Sequence, residues 1–71
     1  MTDTELSYEQ ARAELATVVE RLEAGGTTLE ESLSLWERGE ELSDICQRWL
    51  DGARKRLAEA RERRAAAEGD Q

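Results

Sequence analysis

Glu37, Glu40, Glu41 and Asp44 stand at positions i, i+3, i+4 and i+7. That spacing places the carboxylates on one face of a helix as a single acidic stripe. A carboxylate metal centre in a helical protein needs a second helix supplying further Glu and a His ligand. The chain has no histidine, so no metal or other cofactor is expected. The stripe reads as a solvated face, or as a surface that meets a basic partner. The absence of histidine also removes the usual general base and the Ser–His and Cys–His nucleophile pairs. Cys46 lies among apolar neighbours with no cation on its seam to lower its pKa, so it reads as a small core residue and not as a nucleophile. The chemistry available here is contact chemistry.

Two further groups suit contact. Trp36 and Trp49 are the tryptophans of a 71-residue chain, and Trp is favoured where one molecule anchors on another. Arg54, Lys55, Arg56, Arg61, Arg63 and Arg64 make the C-terminal segment basic. Residues 1–51 hold thirteen acids and four bases, a net charge of −9, and residues 52–71 hold four acids and six bases, a net charge of +2. An auxiliary contact with nucleic acid is one reading of the basic segment. The other is that its cations pair with Asp51, Glu59 and Glu62 at helical spacing and suit the negative end of the helix dipole.

These residues must be carried by helices. Ser7 and Gln10 form a Ser-x-x-Gln capping box, and apolar residues follow at Tyr8, Ala11, Leu15, Val18 and Leu22. The three-four alternation is a coiled-coil-like seam, so a helix is predicted over 8–24. Gly25-Gly26 supplies the positive φ that ends it. Thr28 with Glu31 begins a second helix, predicted over 29–64, with Glu30 and Glu31 at the positive end of its dipole. The turn at 25–28 makes the two helices antiparallel neighbours. The fold class is all-α: an antiparallel helical hairpin with a short first helix and a longer second one. A short three-helix bundle results instead if the second helix breaks at Gly39 or Gly52. Residues 1–6 are expected to be disordered and 65–71 to fray.

The second helix has apolar residues for more than one seam. Leu29, Trp36, Gly39, Cys46, Leu50, Ala53 and Leu57 make one row, and Leu35, Leu42, Ile45 and Trp49 make a second, rotated one. One neighbouring helix cannot shield so wide an arc. The second helix also outruns the first beyond Cys46 and stays apolar there, so burial by another chain is expected. Leu33 joins these rows as a further candidate contact residue.

Composition agrees. Apolar and charged residues each make up 38% of the chain and the net charge is −7. So small a domain is marginally stable without disulfides, metal or a partner, and one cysteine cannot close an internal disulfide. A pI near 4.5 argues against the body of the chain gripping a phosphate backbone. No stretch approaches a membrane span. Met1-Thr2-Asp3-Thr4-Glu5 lacks the basic-then-apolar order of a signal peptide. With a lone thiol, a cytoplasmic location is expected.

In series, these features resemble the small-subunit family of bacterial exodeoxyribonuclease VII. The resemblance rests on Ser7-Tyr8-Glu9-Gln10-Ala11, Leu15, Val18-Val19-Glu20-Arg21-Leu22-Glu23 and Gly25. It continues through Leu29-Glu30-Glu31-Ser32-Leu33, Trp36-Glu37-Arg38-Gly39, Leu42, Cys46, Leu50-Asp51, Ala53 and Leu57. It implies a non-catalytic partner that binds and stabilises a large catalytic subunit, several small chains associating with each large one. The holoenzyme of that family degrades single-stranded DNA to oligonucleotides, so DNA is met only indirectly and no catalytic residue carries over to this chain. Self-association between small subunits is also expected. The chain departs from the family pattern in Gly26-Thr27-Thr28, where Leu then Pro or Ser is more usual, and in Trp36, where Phe or Tyr is. Ile45 and Trp49 fall at commonly charged sites and are expected to enlarge the contact surface. The competing function class is a stand-alone interaction module, a homo-oligomeric helical adaptor or an acidic antidote that fills a basic groove.

Overall fold

Ser7 is extended (φ −73°, ψ 167°) and its hydroxyl accepts the Gln10 N–H at 3.1 Å. The Gln10 side chain accepts the Ser7 N–H in return at 2.9 Å. This closes the capping box and starts helix α1, Tyr8–Ala24. Gly25 and Gly26 then adopt φ values of 74° and 77°, a region in which a Cβ would be strained. They turn the chain through a four-residue connection into helix α2, Leu29–Gly69. At its start Thr28 Oγ1 accepts the Glu31 N–H at 3.1 Å and its hydroxyl donates to the Glu31 carboxylate at 3.1 Å. The Thr27 and Ser32 hydroxyls share a 2.6 Å hydrogen bond across the same corner.

This computed structural model describes residues 6–69, and among them two helices and no strand are present. The all-α hairpin is therefore the observed fold. α2 is one helix through both Gly39 and Gly52, so no third helix forms. It also runs past the expected end at residue 64. Ala65, Ala66 and Ala67 are the best helix formers available, and they carry the helix to Gly69 where fraying was expected. Leu6, placed in the disordered lead-in from sequence, is half-buried against the core, and its carbonyl accepts the Trp49 indole N–H at 3.1 Å. The rest of that expectation, over 1–5, and the last two residues, 70–71, lie outside the described residues.

At 1.5 Å per residue α1 is about 25 Å long and α2 about 61 Å, which accounts for a molecule 65 Å in its longest dimension. Where the helices overlap, Ala11 and Val18 of α1 meet Leu42 and Ile45 of α2, and these four are the buried core. Leu6, Leu15, Leu22, Leu35 and Cys46 pack around them, partly buried. Arg38 closes one flank. Its guanidinium donates to both carboxylate oxygens of Glu14, with Nη2 to Oε1 at 2.9 Å, and reaches Glu41 at 3.4 Å. The core is thin because 17 residues face 41, and every residue from 50 to 69 is exposed.

Candidate functional site

Of the two apolar rows on α2, α1 covers the one containing Leu35, Leu42, Ile45 and Trp49. Leu42 is fully buried, Ile45 is 3% exposed, and Leu35 is half-buried against them. The expectation that Ile45 enlarges a contact surface is thereby corrected. Ile45 is core, and Trp49, though half exposed, is fixed to α1's lead-in through Leu6.

The other row divides. Gly39 faces α1: a Cβ built there would lie 3.6 Å from Val18 Cγ1 and 3.8 Å from Leu15 Cδ1. Cys46 is partly buried beside it. Leu29, Leu33, Trp36, Leu50 and Leu57 are exposed, with Trp36 at 60% and Leu57 at 52%. Ala53 is exposed as well. On α1, Leu15, Val18 and Leu22 turn inward, whereas Val19, not singled out from sequence, is exposed. Its one-residue offset from the seam hid it.

Val19 matters because it borders a groove. Between the helices a concavity of about 150 Å³ is lined by Leu15, Val18, Val19 and Leu22 of α1 and by Trp36, Gly39, Glu40 and Ser43 of α2. Gly39 lines it without a side chain, facing Val18 and Leu15 of α1. Trp36 forms one wall, and Glu40 sets a carboxylate at the rim. Such a groove suits a branched aliphatic side chain on a helix whose flank carries a cation.

The acidic stripe is also resolved. Glu37, Glu40, Glu41 and Asp44 are exposed, but Glu41 is held by Arg38. Among the described residues no cluster of acidic or thiol groups converges as a cation site requires. The basic end of α2 is only loosely paired: Arg54 approaches Asp51 at 3.8 Å, and Arg64 meets Glu68 at 3.3 Å. No helix among the described residues is long and apolar enough to cross a membrane. The hairpin thus carries an apolar groove and an exposed apolar row, and beyond them an overhang of exposed residues.

Residues 8–59 match the family described as Exonuclease VII small subunit. The chain is similar to the exodeoxyribonuclease 7 small subunit of Streptomyces avermitilis, 76% identical over 54 residues, covering 76% of this chain and 68% of that protein. It is 77% identical over 52 residues to the corresponding protein of Streptomyces coelicolor, covering 73% of this chain and 59% of that one. Against that of Acidothermus cellulolyticus it is 60% identical over 65 residues, covering 92% of this chain and 68% of the relative. The matched part thus spans about three-fifths to two-thirds of these relatives' lengths. No solved structure matches the chain.

Proposed function

This chain belongs to the exonuclease VII small subunit family, and from that membership we propose that it is the non-catalytic subunit of an exodeoxyribonuclease VII-type complex. It binds and stabilises a large catalytic subunit that degrades single-stranded DNA to oligonucleotides. The observation that carries the reading is the family match over 8–59, which takes in α1, the turn and most of α2. Two physical features support it. The hairpin has four buried side chains but leaves Leu29, Leu33, Trp36, Leu50 and Leu57 exposed, more apolar surface than a lone small chain ordinarily shows to water. The net charge of −7 suits a chain whose partner supplies the cations for DNA. Several small chains then gather on each large one and on each other, in the cytoplasm where the substrate DNA lies.

Co-expression with the candidate large subunit tests this. A tagged small chain is expected to retain the large one on a column, and the pair is expected to degrade single-stranded DNA while the small chain alone does not. A soluble and fully active large subunit made in the complete absence of this chain overturns the reading.

A further inference from the structure

We propose that the exposed seam of α2 is an antiparallel docking surface for α2 of a second copy, in which each overhang fills the groove of the other hairpin. The proposal deepens the assembly reading above, and it concerns the isolated chain.

Seven-residue spacing carries the argument. Leu29, Trp36, Leu50 and Leu57 fall at one heptad position of α2, interrupted between 29 and 57 only by Ser43. Three residues beyond each position of that row, Ser43 included, lies a small side chain: Ser32, Gly39, Cys46, Ala53 and Ala60. A helix with large residues in one row and small ones in the next packs best antiparallel to itself, because facing layers then set each large residue against a small one. Registers one heptad apart all satisfy this rule, and one of them fills the groove. In that register Leu57 of the second copy lies over Gly39, its Ala60 lies against Trp36, and its Cys46 lies against Leu50. Leu57 of the second copy thereby enters the groove lined by Gly39, Val18, Val19 and Trp36.

The charges single out this register among those that size allows. Glu40, Gln47 and Arg54 occupy the flank position next to the small row. In an antiparallel pair this flank meets its own counterpart. The register with Leu57 over Gly39 places Gln47 at the two-fold axis, facing Gln47 of the second copy. Glu40 then faces Arg54 of the second copy, and Arg54 faces its Glu40. Arg54 is available for this: its side chain is 73% exposed and its contact with Asp51 is long, at 3.8 Å. In a parallel pair the acidic hairpin bodies would lie side by side, as would the basic overhangs, and like charges would repel. Because the two contacts are equivalent, the interface is isologous and closes as a dimer.

Sedimentation equilibrium of the full chain at several concentrations, with the Glu40→Arg, Arg54→Glu and doubly exchanged variants, tests the register. A dimer is expected for the natural chain. Each single reversal is expected to weaken it about tenfold or more, and the double exchange to restore most of the loss. Circular dichroism of each variant reports whether the hairpin is intact, since both positions are exposed. In a Cys46→Ala background, oxidation of a mixture of Ser43→Cys and Ala53→Cys chains is expected to join one chain of each kind, as the facing layers require. A monomer at all concentrations overturns the proposal and leaves the large-subunit reading standing. A dimer indifferent to the charge reversals, or cross-linked only between like chains, overturns the antiparallel register.

Discussion

Leu42 and Trp36 sit on the same helix with opposite surroundings, Leu42 fully buried and Trp36 60% exposed. Leu42→Ala empties the centre of a four-residue core, so a loss of about 2–4 kcal/mol in hairpin stability is expected. Trp36→Ala removes a side chain mostly in water and is expected to cost under about 1 kcal/mol in the hairpin itself. Its effect belongs to assembly, where loss of an aromatic anchor typically exceeds about 1–2 kcal/mol. Urea unfolding followed by circular dichroism, beside a pull-down with the large subunit, separates the two. A second pair tests the flank. Arg38 holds Glu14 through two parallel hydrogen bonds, with side chains 31% and 40% exposed. A double-mutant cycle of Arg38→Met and Glu14→Gln is expected to give a coupling near 1 kcal/mol, above an ordinary surface pair because the geometry is bidentate. A coupling indistinguishable from zero would place the hairpin's orientation in the apolar contacts alone. The sequence identified Leu42 and Trp36 as apolar contact residues but did not distinguish their roles. Burial depends on which way α2 is rotated against α1, and no residue type states that.

At the scale of the elements, what was legible is what local chemistry decides. Ser7 with Gln10 and Thr28 with Glu31 satisfy orphan N–H groups within one turn, so those helix starts could be read directly. Gly25 and Gly26 bend the chain where positive φ is needed. Which apolar row of α2 faces α1 is decided instead by the turn and by complementary packing between residues far apart in sequence. The spacing offers two rows, and the one with Leu35, Leu42 and Ile45 is the one that packs against α1. Both rows are apolar, so periodicity alone could not rank them. The glycines make the element scale testable. A Cβ at Gly52 meets nothing within 4 Å, so Gly52→Ala is expected to stabilise the helix by up to about 1 kcal/mol. Gly25→Ala, at φ 74°, is expected to destabilise by about 1 kcal/mol or more through backbone strain. Opposite shifts in melting temperature at fixed protein concentration are the expected result. A gain at both positions would mean that the turn does not hold Gly25 in the left-handed region.

At the scale of the molecule, the two helices are unequal partners. α2 outruns α1, and residues 50–69 are all exposed, so the overhang relies mainly on its own backbone hydrogen bonds and charge pairs to stay helical. An isolated helix of that length is marginal in water. The segment 35–49 is different, because Leu42 and Ile45 tie it to Ala11 and Val18. Opening free energies should therefore fall steeply along one continuous helix. Amide hydrogen exchange of the dilute chain is expected to show slow exchange over 35–49 and fast exchange over 53–69. On assembly with the large subunit, or at concentrations where copies pair, protection is expected to spread into 53–69. The turn at 25–28 should change little, since its hydrogen bonds are already made within the hairpin. Protection of the overhang that is complete in the dilute monomer would show that its helicity does not depend on a partner. The apolar residues beyond Trp49 would then have no stabilising role left to another chain. If protection instead appears only on association, the overhang folds with its partner, and its apolar stripe is the part of the core that the 71-residue chain leaves to its neighbours.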